Sequence, residues 1–188
     1  MATVQITRTM KHLRWFFSVI GLDFGQADQF WDQQVTPDHM DSIADLASKR
    51  ISQRVPLPYL TGEAWFAGLR FYSDRRAVIP RSPFAELIQQ EFSPWLESGP
   101  VINILDMCTG NGCIGIACAV YMPDATVDLV DLSPDALELA QNNVELHEVG
   151  SRVNVICSDL FEALEGRQYD LIVSNPPYVP ASSMQDLP

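Results

Sequence analysis

Residues 101–113, Val101-Ile102-Asn103-Ile104-Leu105-Asp106-Met107-Cys108-Thr109-Gly110-Asn111-Gly112-Cys113, decide the fold. The apolar run up to Asp106 reads as a strand, the glycine-rich stretch 107–112 as a turn, and a helix is expected to open at Cys113. Downstream the same order repeats. A helix is predicted to about Tyr121, a strand over Thr126 to Asp131, and a helix from Pro134 to about His147. Strands over Val153 to Cys157 and Tyr169 to Ser174 follow, the first strand itself starting at Val101. Strands alternating with helical crossovers imply a parallel sheet of the doubly wound α/β class.

Upstream of Pro100 the pattern differs. Met10, Leu13, Phe16, Phe17 and Ile20 recur at helical spacing, and Thr36 before Pro37 is a capped start for a second helix bearing Met40, Ile43, Ala44, Ala47 and Ile51. Trp65-Phe66 and Leu69 to Tyr72 flank Ala67-Gly68 as a small hairpin, and Ser82-Pro83 opens a further helix. The reading is a small, mainly helical N-terminal domain with a hairpin linker over 1–98 and a cofactor-binding domain over 99–188, meeting near Ser98-Gly99-Pro100.

With 47% hydrophobic residues in 188 the chain can bury a sizeable core. Its longest apolar clusters fall well below the roughly 20 residues of a membrane span, and the first twenty residues lack an apolar stretch ending in small residues. Neither a membrane partner nor a signal peptide is expected. Cys108, Cys113, Cys118 and Cys157 form no C-x-x-C pair and no histidine stands at ligand spacing from them, so reduced thiols, no metal and a cytoplasmic location are expected. His12, His39 and His147 sit among polar residues and read as surface groups. A formal charge of -12 repels phosphate backbones, which makes nucleic acid a poor main partner. The sequence assigns no oligomeric state.

Gly110, Gly112 and Gly115 satisfy the dinucleotide pattern G-x-G-x-x-G, so a nucleotide cofactor is expected at this turn, where a missing Cβ lets a ligand approach the backbone. Asp106 just before the glycines suits an ammonium group and would repel a pyrophosphate, which favours S-adenosylmethionine over a nicotinamide or flavin dinucleotide. Asp131, ending the next strand, can accept from ribose hydroxyls. Asp159 is placed to accept from an adenine amine, with the Leu160 N–H donating to the ring, or else to cap the following turn.

The last strand leads into Asn175-Pro176-Pro177-Tyr178. In an open α/β sheet ligands sit at the carboxyl ends of strands, so this loop should border the reacting group. It fits the methylation of a nitrogen whose lone pair is delocalised: the Asn175 side-chain oxygen accepts one N–H and the Pro176 carbonyl the other. Pro176 holds Asn175 extended, Pro177 fixes its own φ, and Tyr178 can stack on a flat amide or base.

Together, residues 105–113, Val130-Asp131-Leu132-Ser133-Pro134-Asp135-Ala136-Leu137 and Ser174-Asn175-Pro176-Pro177-Tyr178 resemble the glutamine-amide methyltransferases of the HemK/PrmC type. Residues 79–88, with Asp106-Met107-Cys108-Thr109, are similar to the PrmB branch, which acts on a large-subunit ribosomal protein. The resemblance implies an S-adenosylmethionine-type sheet and a substrate glutamine gripped by Asn175, Pro176, Pro177 and Tyr178. It implies cofactor contacts from Cys108, Thr109, Gly110, Gly112, Asp131 and Leu160, and an N-terminal domain that recognises protein. Asn111 stands where the branch more often has serine, in a loop expected to act through its backbone. Sheets of this kind have seven strands and four can be counted before Pro188, so the sheet is expected to be incomplete at its C-terminal side. Competing readings are methylation of release factors, an adenine-amine DNA methyltransferase, a dinucleotide-dependent oxidoreductase, and a module that binds a ribosomal protein without turnover. Arg81 reads equally as part of the site entrance or as the partner of a carboxylate.

Overall fold

The structure is a computed structural model that describes residues 37–96 and 101–177. The helix expected over Met10 to Ile20, the Thr36 cap and Tyr178 lie outside the described residues.

The chain divides into two compact units, Met1–Glu63 and Ala64–Pro188. In the first, helix α1 spans Pro37–Ser52 and a short α2 spans Leu57–Thr61. Pro37 supplies a fixed φ at the first helical position, where a missing N–H costs nothing. Helix α2 stops at Gly62, which takes the left-handed conformation at φ 75°.

The second unit opens with a hairpin, β1 Glu63–Phe66 and β2 Leu69–Tyr72. Ala67 (φ 47°) and Gly68 (φ 80°) give the turn two successive positive φ values, the geometry that matches strand twist. A short α3, Phe84–Gln89, precedes the sheet. The sheet is built from β3 Asn103–Met107, β4 Thr126–Asp131, β5 Val153–Cys157 and β6 Leu171–Ser174, with helices α4 Cys113–Tyr121 and α5 Pro134–Leu146 between them. One turn of 3₁₀ helix, Glu162–Leu164, follows β5.

The strand order is β5-β4-β3-β6 and every pairing is parallel. The first strand therefore lies inside, with β4 on one side and β6 on the other, and the chain changes winding direction between β3 and β6. Open α/β sheets bind ligands outside the carboxyl ends of the strands at this switch. Helix α5 starts cleanly because the Ser133 hydroxyl accepts from the Ala136 N–H at 3.3 Å and Pro134 follows it.

Strand alternation sorts the core into two layers. Ile104, Val127, Leu129 and Val173 pack with α4, with Ile88 and Phe92, and with Phe66 and Phe71 of the hairpin. The hairpin turns Trp65 and Tyr72 outward and buries its other face against this layer, which places it in the second unit. On the opposite face Leu105, Met107 and Val130 meet Leu164. There the buried Asp128 carboxylate accepts from Asn154 Nδ2 (2.8 Å), Arg167 Nη1 (2.6 Å) and the Tyr169 hydroxyl (2.7 Å), which ties β4 to the segment entering β6. Burial, with Asp128 alongside, pushes the Tyr169 hydroxyl up to about 12. No helix among the described residues is long and apolar enough to cross a membrane.

Candidate active site

The glycine loop is held from behind by Asp106. This residue shares a sheet face with Ile104 and is 0% exposed; its Oδ2 accepts from the Thr109 hydroxyl (2.6 Å) and the Gly115 N–H (2.8 Å). Its Oδ1 has no hydrogen-bond partner, and burial pushes the carboxyl up to about 6. Asp106 does not line the cavity described below, so the ammonium contact expected of it has no direct geometric support; its carboxylate shapes the loop.

Two glycines owe their identity to packing. A Cβ on Gly112, whose φ is 83°, would stand 2.8 Å from Ile116 Cδ1 and 3.2 Å from Leu129 Cδ1. One on Gly115 would run into Leu129 and into Asp106 itself. Gly112 is therefore outside the cavity lining, whereas Gly110 lines it, with the position of an added Cβ 3.6 Å from Ala77 Cβ.

Asp131 stands at the end of β4 beside this loop. Its Oδ2 accepts from the Gly110 N–H at 2.9 Å and its Oδ1 from the Ser133 N–H at 3.0 Å. A carboxylate has about four acceptor positions, so one on each oxygen stays available to a diol.

A second wall comes from residues 76–82, of which only Arg81 is expected from the sequence at the site entrance. The end of β2 that leads into it is fastened to the loop at Tyr72 by two buried amides. Asn143 is 0% exposed; its Oδ1 accepts from the Tyr72 N–H (2.7 Å), and its Nδ2 donates to Tyr72 O (3.2 Å) and Asn111 O (2.9 Å). Asn111 Nδ2 also donates to Tyr72 O, at 3.2 Å, so its side chain does more than the backbone role expected for it. The signal for Asn143 was present in the sequence. It is a polar residue on a helix face otherwise made of Ala136, Leu137, Leu139, Ala140 and Val144, and a buried polar group is the informative exception.

These pieces enclose a cavity of about 560 Å³. Of the expected cofactor residues, Cys108, Thr109, Gly110, Asp131, Asp159 and Leu160 line it, and so do Asn175, Pro176 and Pro177. Tyr178 lies outside the described residues. Leu132 (64% exposed) and Leu160 (55%) add apolar side chains that a flat base could cover. Ser158, whose hydroxyl accepts from the Ala163 N–H at 3.0 Å, caps the 3₁₀ turn and leaves the exposed Asp159 free of that task. Arg81 lines the cavity.

Burial pushes the Cys108, Cys113 and Cys118 thiols up, which keeps them protonated near neutral pH and unsuited to nucleophilic work. Among the described residues no group of His, Cys, Asp and Glu could hold a metal ion. His147 is partly buried, with Nε2 2.7 Å from Arg70 O and its ring against Phe71, so it fastens α5 to the hairpin where a surface role was expected.

Comparison with known proteins agrees with this geometry. The chain is 51% identical over 147 residues to the ribosomal protein uL3 glutamine methyltransferase of Francisella tularensis, covering 78% of this chain and 47% of that one. It is 54% identical over 149 residues to the protein of the same name from Xanthomonas campestris, covering 79% and 48%. For the Bordetella pertussis protein, again of that name, the identity is 47% over 162 residues, with coverage of 86% and 54%. The chain thus spans about half the length of the curated relatives it matches. A family model described as the methyltransferase small domain matches residues 90–186, which hold the whole sheet, the glycine loop and the Asn175 loop, and the chain belongs to that family.

Proposed function

We propose that this chain carries the cofactor cavity and the amide-gripping loop of an S-adenosylmethionine-dependent methyltransferase that modifies the side-chain amide of a glutamine in the large-subunit ribosomal protein uL3. The observation that carries the reading is that the Asn175-Pro176-Pro177 loop and the Cys108–Gly110 loop line one cavity at the switch between β3 and β6.

The residues present fit the cofactor. Asp131 keeps acceptor positions for a ribose diol, Leu132 and Leu160 offer apolar surface for a flat base, and Gly110 lines the cavity beside them. When bound, S-adenosylmethionine supplies an electrophilic methyl on a sulfonium. The protein has to present a weakly nucleophilic nitrogen in line with it. The Asn175 Oδ1 and the Pro176 carbonyl accept the two amide N–H bonds, which orients the –NH₂ group and concentrates its electron density. Alignment of this kind is worth about 7–11 kcal/mol of barrier, so no strongly basic side chain is needed. The N-terminal unit serves recognition of the protein substrate, and the acidic chain attracts a basic partner. The reaction belongs to the cytoplasm.

The test is methyl transfer from labelled cofactor to uL3, a peptide release factor and duplex DNA side by side, with mass mapping of the product. Label on a uL3 glutamine is expected. Label on the release factor alone moves the substrate to the other branch, and label on DNA overturns the protein-amide reading.

A further inference from the structure

Strand β6 carries the Asn175 loop, yet it is only four residues long and, among the described residues, pairs with β3 alone, from Ile104↔Leu171 to Met107↔Ser174. Beyond Ser174 the ladder loses its donors, because Pro176 and Pro177 have no backbone N–H. Whatever holds the exit of this strand must act at or before Asn175.

A side chain does so. The Ser174 hydroxyl donates to the Met107 carbonyl at 2.8 Å. Met107 is the last residue of β3 and Cys108 opens the glycine loop, so one hydroxyl joins the final residue before the amide-gripping loop to the strand end from which the cofactor loop leaves. At the entry of β6, Asp170 makes the matching attachment. Its Oδ2 accepts from the Ile102 and Asn103 N–H groups at 2.9 and 2.8 Å, and its own N–H donates to Asn103 O at 2.8 Å. The strand is pinned at both ends against a register slip, which would move it by about 3.3 Å per residue.

We infer that Ser174 is a positioning residue that sets the separation between the cofactor loop and the Asn175-Pro176 acceptors. Ser174 is not among the residues lining the cavity, so its influence runs through the placement of its neighbours. The inference rests on the methyl-transfer reading for its kinetic consequence and on hydrogen bonding alone for its structural one. A displacement of about 1 Å between reacting groups costs on the order of 10²-fold in rate.

The experiment compares the 188-residue wild type with Ser174→Ala and Ser174→Thr. Three quantities are read: amide hydrogen exchange across residues 170–175, S-adenosylmethionine Kd by titration calorimetry, and kcat and KM on uL3. Ser174→Ala should speed exchange at Ser174 and Asn175 and lower kcat by about ten- to a hundred-fold. Cofactor Kd and substrate KM should stay within about two-fold, since neither ligand loses a contact. Ser174→Thr, which keeps the hydroxyl, should restore both protection and rate. Unchanged exchange in Ser174→Ala overturns the inference whatever the activity, and so does a loss of cofactor affinity as large as the loss of rate. If the wild type fails to methylate any glutamine, the substrate reading falls and the exchange comparison alone decides on Ser174.

Discussion

Replacing Asn143 by alanine tests whether the two-amide clamp builds the site. The substitution removes three hydrogen bonds and leaves the Tyr72 N–H and the Asn111 carbonyl without their partner, while the Tyr72 carbonyl keeps Asn111 Nδ2 at 3.2 Å. A buried polar group stripped of its partner costs about 1–3 kcal/mol. Two such groups set the scale, reduced somewhat because the Tyr72 end is only partly buried and water can reach it, and because alanine gains about 0.5 kcal/mol of helix propensity. The expected loss is about 2–4 kcal/mol, read by urea unfolding followed by far-ultraviolet circular dichroism. A second effect should accompany it. Tyr72 leads into the 76–82 wall, so S-adenosylmethionine affinity should fall in Asn143→Ala under conditions where the variant is still folded. A variant within about 0.5 kcal/mol of wild type, with unchanged cofactor Kd, would refute the clamp as a determinant of the cavity.

Asn175→Ala should abolish methyl transfer to uL3 and leave cofactor Kd within a few-fold, because this side chain grips the acceptor amide; an equal loss in calorimetric affinity would reassign it to the cofactor. Asp131→Ala should weaken S-adenosylmethionine binding by about 1.5–3 kcal/mol, the range for hydrogen bonds to a charged acceptor, and unchanged affinity would put the ribose elsewhere. Asp106 should titrate near 6 in a carboxyl ¹³C NMR experiment, and a midpoint below about 4.5 would mean that its buried carboxylate is better solvated than the fold implies. The sign of the linked stability follows: the folded state holds this proton more tightly than the unfolded chain, so this group's contribution declines as pH rises from about 4 to about 6, opposite to the usual paired carboxylate.

The sheet was legible because its signals are local. Apolar runs punctuated by glycine, proline and Ser133-Pro134 place β3 to β6, α4 and α5 close to their observed bounds. The placement of Asp131 and the Asn175 loop at strand ends was legible for the same reason. Asp106 shows a limit of reading by proximity. Adjacent to the glycines in sequence, it shares a face with Ile104 by the two-residue period of a strand, and its carboxylate accepts from the Gly115 N–H. The 76–82 wall has no periodicity of its own, and its place depends on contacts between the hairpin, the glycine loop and α5 that are distant in sequence. Long-range packing of the same kind draws the hairpin and α3 into the sheet's core.

The Asn111–Asn143 clamp reads only main-chain atoms of Tyr72, while the Tyr72 side chain is 40% exposed. Position 72 is therefore a mounting point for a reporter. A small fluorophore or spin label attached there would leave the grip on the peptide intact and travel with the cavity wall, so that ligand entry could be followed as a spectroscopic change without altering any residue that meets the ligand.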